Sequence, residues 1–107
     1  MTAGRDLLEE DELTAARARL DADWEVADRA LVRTFRFGDF ASAFALATRI
    51  ALLAERRDHH PDLEVGWGRL AVRLSTHSAG GVTRKDVELA AAIDEAAEAA
   101  GGTGSDP

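Results

Sequence analysis

Three histidines are the side chains here best suited to chemistry near neutral pH: His59 and His60, adjacent and followed by Pro61, and His77. An unperturbed imidazole titrates at about 6.5, so it can hold or release a proton under ordinary conditions. That chemistry is general acid–base catalysis. The chain has no cysteine, which removes disulfides, thiolate nucleophiles and cysteine-based zinc sites. Three histidines could in principle hold zinc. Helical zinc pairs are spaced i, i+4, however, and adjacent histidines before a proline do not readily point at one ion. We expect no metal.

The neighbours of these histidines each have an ordinary reading when taken singly. Glu55 reads as a solvated helix residue, Asp58 as a turn cap and Pro61 as a helix stop. Trp67 alone is more often core than ligand platform, and Gly80-Gly81 reads as a plain loop. The pattern, not any one residue, carries the argument.

The elements that must position these residues follow from periodicity. Leu13, Ala16 and Leu20 recur at helical spacing, predicting a short helix over about 11–20. An extended stretch around Trp24, a turn near Asp28-Arg29 and the alternation of Leu31, Phe35 and Phe37 predict a β-hairpin. Phe40, Ala43, Phe44, Ala47, Ile50, Ala51 and Ala54 step by three and four, the strongest helix signal, with Asp39 as its cap. Pro61 pushes His60 toward an extended conformation. Leu63, Val65 and Trp67, then Leu70, Val72 and Leu74, predict a second hairpin turning at Gly68-Arg69 with Gly first. His77 has the parity of Arg73 and Ser75, opposite to the apolar set, so it should lie on the open face or rim. Thr83 to Asp86 resembles a capping box before a last helix faced by Val87, Ala90, Ile93 and Ala97. The order is α-β-β-α-β-β-α, an α+β fold: a four-stranded, mainly antiparallel sheet with helices on one face.

At 107 residues the chain fits a single domain, 1–107, with an ordered core over about 11–99 and flexible ends at 1–10 and 100–107. A core this small makes self-association a plausible way to bury more surface. The net charge is −7 and no block of five or six basic residues occurs, which argues against a nucleic-acid groove. No apolar run approaches 18 residues, and the start lacks a signal-peptide pattern, so a cytoplasmic protein with no membrane span is expected.

Together the residues resemble the pterin-4a-carbinolamine dehydratase family. Its signature is an acid, three residues, His, His or Asn, Pro, five residues, Tyr or Trp, nine residues, His, then eight to fifteen residues to Asp. Glu55, His59, His60, Pro61, Trp67, His77 and Asp86 fill every position with the required gaps. The resemblance runs from about Leu13 to Ala97 and includes Trp24, Phe35-Arg36-Phe37, Phe40, Phe44 and Ile93-Asp94. This chain departs at Val65, where the family often has Asn, at Trp67, commonly Tyr, and at Ser78, commonly an acid.

The resemblance implies dehydration of 4a-hydroxytetrahydropterin to quinonoid dihydropterin in tetrahydropterin recycling. The pterin is the substrate and no cofactor is needed. It implies His59, His60 and His77 as the catalytic histidines, with donor and acceptor roles unassigned among them. Asp58, Pro61, Thr76, Ser78 and Ala79 match pterin-contacting positions, Trp67 walls the pocket, and Glu55 and Asp86 support the histidines. Family members commonly form homodimers or homotetramers. The alternative is a non-catalytic interaction protein or assembly chaperone of the same fold, which would have no need of three histidines.

Overall fold

The computed structural model describes residues 7–100. In chain order the elements are α1 (Glu10–Arg19), β1 (Glu25–Ala27), β2 (Ala30–Arg36), α2 (Phe40–Arg57), β3 (Asp62–Gly66), β4 (Arg69–Leu74) and α3 (Arg84–Ala99), with a 3-10 turn at His77–Ala79. The α+β class and the α-β-β-α-β-β-α order are as expected; the 3-10 turn is additional. Flexibility expected at 1–6 and 101–107 lies outside the described residues. Ahead of α1, Leu7 forms a β-bridge with Thr83, and the Leu8 N–H donates to the Val82 carbonyl at 3.0 Å.

The four strands form one antiparallel sheet in the order β1-β2-β4-β3. β1 and β2 are joined through Asp28 and Arg29, at φ 50° and 62°. Two left-handed residues in succession match the twist of the strands they connect. The β3–β4 turn differs from expectation. Gly66 pairs with Arg69, so Trp67 and Gly68 make the turn and Arg69 already belongs to β4. Gly68 supplies the positive φ, at 64°.

Strand alternation builds one floor of the core. Leu31 and Phe35 of β2 and Leu70, Val72 and Leu74 of β4 are buried on one side. α2 lays Ala43, Leu46, Ala47, Ile50 and Ala54 against them, and α3 adds Leu89, Ala90, Ile93 and Ala97. Full burial of a Leu or Ile contributes about 1.5–3 kcal/mol, so these faces fix the helices on the sheet. Leu46 and Leu89 take core places that the periodicity did not assign. Phe40 and Phe44 instead face outward, 47% and 54% exposed, with ring centroids 5.8 Å apart.

One charged residue shares the core side of β2. Arg33, between Leu31 and Phe35, is buried with its guanidinium 4.2 Å from the centre of the Phe35 ring. Its Nη1 donates to Asp94 Oδ1 of α3 at 2.6 Å, and the same oxygen accepts from Trp24 Nε1 at 2.7 Å. Among the described residues no helix is long and apolar enough to cross a membrane.

Candidate active site

The antiparallel pairing of β3 with β4 sets the site. Asp62, at the start of β3, sits opposite Arg73, near the end of β4. The chain entering β3 carries His59 and His60; the chain leaving β4 carries His77. These segments therefore lie side by side. At the end of α2, Asp58 adopts φ 50° and ψ 42°, and its N–H closes the last turn on Ala54 and Glu55 carbonyls. That left-handed residue turns the chain off the helix axis and sends His59 and His60 toward the sheet rim, where Pro61 prevents any return to helix.

His59 is held in a buried network. Its Nε2 lies 2.6 Å from Oδ1 of Asp86, a carboxylate with no exposed surface. Asp86 Oδ2 accepts from the Thr83 N–H and from Thr76 Oγ1, both at 2.8 Å. Asp86 is the third residue of α3 and Thr83 is its cap, so the expected capping box is present and also serves the histidine. His60 is in the open. Its Nε2 meets Glu55 Oε1 at 2.7 Å, with 54% and 75% of the two side chains exposed. An exposed pair of this kind contributes about 0–1 kcal/mol and mainly biases the ring's orientation.

His77 opens the 3-10 turn, exposed. The loop around it is tight: the Thr76 N–H donates to the Gly81 carbonyl at 2.8 Å, and the Ala79 N–H to the Thr76 carbonyl at 3.0 Å. His60 and His77 share a cleft of about 570 Å³, whose other walls are Asp28, Arg29, Asp62, Arg73, Ser75 and Gly80. This falls within the usual range of about 300–1,000 Å³ for small-molecule sites. A smaller hollow of about 240 Å³ on the open sheet face, lined by residues such as Val32, Thr34, Ala71 and Glu64, contains no histidine.

The structure thus gathers Glu55, His59, His60, Thr76, His77 and Asp86 at one end of the sheet. Of the expected site residues, His60 and His77 line the cleft; His59, Thr76, Glu55 and Asp86 stand behind it, and Asp58, Pro61, Ser78 and Ala79 adjoin them in the chain without lining it. Trp67 is not brought there. It sits 74% exposed at the β3–β4 turn, the far end of five-residue β3 from His60. Asp28, Arg29, Asp62, Arg73, Ser75 and Gly80 are wall residues that sequence reasoning did not assign to the site. Arg73 and Ser75 had a signal, the parity they share with His77. Asp28 and Arg29 had none, because only the β2–β4 register, with Leu31 opposite Leu74, brings their turn to this end. There the Asp28 carbonyl accepts from Arg73 at 3.0 Å and the Arg29 carbonyl from Ser75 at 2.9 Å. Among the described residues no group of three or more His, Asp or Glu side chains is placed to hold a metal ion.

The family model described as Pterin 4 alpha carbinolamine dehydratase matches residues 6–96. The chain belongs to that family. Two dehydratase-family relatives carry the name "Putative pterin-4-alpha-carbinolamine dehydratase". The one from Chloroflexus aurantiacus is 49% identical over 73 residues, 68% of this chain and 78% of that one. The one from Rhizorhabdus wittichii is 44% identical over 92 residues, 86% and 95% of the two chains. A solved transcriptional coactivator/pterin dehydratase from Brucella melitensis aligns with TM-score 0.79 and 39% identity, covering 84% of this chain and 97% of that one. A pterin dehydratase-like protein identified as a RuBisCO assembly factor in the alpha-carboxysome aligns with TM-score 0.57 and 24% identity, over 69% of this chain and 86% of that one. At that identity the likeness shows the fold alone.

Proposed function

We propose that this protein dehydrates a 4a-hydroxytetrahydropterin to quinonoid dihydropterin and water, by histidine acid–base catalysis. The carrying observation is that His60 and His77, from separate segments, line one cleft, while His59 is tied to the residue preceding His77 through Asp86. Membership of the dehydratase family supports the same reading.

The reaction needs little beyond proton transfer. The C4a–O bond breaks and the hydroxyl leaves as water with a proton from one imidazole. N5 gives its proton to a second imidazole, and the N5–C4a double bond forms. The two transfers cancel, so no metal or organic cofactor is consumed. Positioned acid–base groups of this kind contribute about 10²–10⁴-fold each. Asp58, Pro61, Thr76, Ser78 and Ala79, which lie just beyond the cleft walls beside its histidines in the chain, are proposed to contact the ring's periphery, and Glu55 and Asp86 to orient the histidines. We place the working form as a homodimer or homotetramer, supported by the outward Phe40, Phe44 and Leu52 of α2. The non-catalytic alternative does not call for a buried carboxylate aimed at His59. Generating the carbinolamine with a hydroxylase and following its loss by absorbance tests the proposal. Faster loss with the intact protein is expected; a rate equal to the uncatalysed one would overturn it.

A further inference from the structure

The hydroxyls behind Asp86 determine how His59 presents itself. Thr76 Oγ1 lies 2.8 Å from Asp86 Oδ2 and 2.7 Å from Thr83 Oγ1. A threonine hydroxyl has one proton to donate. Thr76 spends its proton on the carboxylate, the stronger charge-assisted acceptor. The short contact between the two threonines must then take its proton from Thr83. The direct path from Thr83 Oγ1 to Asp86 Oδ2, at 3.5 Å, is too long to compete. The chain of donors therefore runs one way: Thr83 to Thr76 to Asp86. The Thr83 N–H adds a second short donor to the same oxygen, at 2.8 Å.

Asp86 Oδ2 is met by two donors, the arrangement that suits an ionised carboxylate, which only accepts. Among the described residues the carboxylate's other oxygen has His59 Nε2 as its hydrogen-bond partner, at 2.6 Å, so with Asp86 ionised the proton between them belongs to the imidazole. We infer that Thr83 is a positioning residue that, through Thr76 and Asp86, fixes His59 as the Nε2–H tautomer and leaves Nδ1 as the nitrogen that exchanges protons. Thr83 is itself pinned from outside the site, by its bridge to Leu7 and by the neighbouring Leu8 to Val82 hydrogen bond. The tautomer assignment concerns the resting protein. Its consequence for turnover rests on the dehydratase reading above.

The test is ¹⁵N NMR of the imidazoles in the full-length protein, free of ligand, with His59 neutral. His59 should show a protonated Nε2 and a bare Nδ1. Thr83→Ser, which keeps the hydroxyl, should look the same. Thr83→Val and Thr76→Val should each bring in the other tautomer, and the double variant should change no more than either single one, since both cut one chain. Thr76 lies outside the helix cap, so Thr76→Val keeps the test valid if Thr83→Val unfolds. In the dehydration assay Thr83→Val should lose about tenfold in kcat with little change in KM, and Thr83→Ser should restore it. A wild-type His59 protonated on Nδ1, or an unchanged tautomer in both valine variants, overturns the inference. An inactive wild type with the expected tautomers would instead count against the dehydratase reading alone.

Discussion

Arg33 of β2 and Asp94 of α3 meet at 2.6 Å beneath the sheet, joining segments 61 residues apart. Asp94 lies two turns along α3 from Asp86, roughly 12 Å at 1.5 Å per residue. The helix that presents a carboxylate to His59 is thus anchored a second time, by Arg33 and by Trp24 Nε1. Removing Asp94 would take away the shortest of three carboxylate contacts to a guanidinium whose side chain is only 5% exposed, leaving Asp21 at 3.6 Å and Asp23 at 3.8 Å. Asp94→Ala should cost about 1–3 kcal/mol, the usual range for leaving buried donors, here Arg33 Nη1 and Trp24 Nε1, without their acceptor. Asp94→Asn, which keeps an acceptor, should cost less. Urea denaturation of the three proteins checks both the size and the order.

Asp86→Asn tests the site end of the same helix. The replacement faces hydroxyl and N–H donors with a group that can accept on one side only. Loss of stability should be about 1–3 kcal/mol, the cost of leaving buried polar groups unsatisfied. The catalytic loss should be larger, because His59 is released from its tautomer; we expect kcat to fall at least about 10²-fold, by analogy with removing a carboxylate that orients a catalytic imidazole. Circular-dichroism melting and the dehydration assay, run on the same sample, separate the two effects.

Gly68 makes a sharper backbone prediction than the other glycines. A Cβ there would sit 2.7 Å from the Phe37 carbonyl oxygen, and φ is 64°. Backbone cannot yield as a side chain can, so Gly68→Ala should destabilise by about 1–3 kcal/mol. Gly66→Ala, two residues away with nothing within 4 Å of the added carbon, should stay within about 0.5 kcal/mol. Paired thermal melts suffice to compare them.

Much of this arrangement is legible in the sequence because it rests on local rules. Helical spacing marks α2 and α3, alternation marks the two hairpins, and Thr83 with Asp86 announces the start of α3. The three histidines stand out through their spacing from Glu55, Trp67 and Asp86. What escapes is whatever depends on a partner far along the chain. Arg33 on the core side of β2 looks like a break in the pattern until Asp94 is seen beside it. Asp28 and Arg29 enter the cleft only through the β2–β4 register. Trp67 fits the family spacing yet lies at the wrong end of its strand to line the cleft, because a turn at Trp67-Gly68 places it at the sheet's far edge.

The start of α2 gives a pH-dependent prediction. Asp39 Oδ1 accepts the Ser42 N–H at 2.7 Å. Hydrogen bonding to Ser42, from its side chain and then its backbone, holds the Asp39 carboxyl below its ordinary value of 3.8, against a small opposing effect of burial. A carboxyl lowered on folding adds stability that is complete above the unfolded pKa and is lost as pH falls through the lower, folded one. Wild type should therefore melt above Asp39→Ala at pH 7, and the gap should narrow as pH falls below the ordinary carboxyl value of 3.8. A gap unchanged across that range would show that the charged cap contributes nothing.

The central claim is that imidazoles from two separate segments act on one pterin at the end of the sheet where β3 begins and β4 ends. The direct measurement is the single-turnover rate of carbinolamine dehydration by wild type, His59→Ala, His77→Ala and the double variant, all confirmed folded. Each single variant should fall by about 10²–10⁴-fold. The double variant should not approach the product of the two losses, since the residues serve one reaction. Either single variant turning over at the wild-type rate would contradict the account.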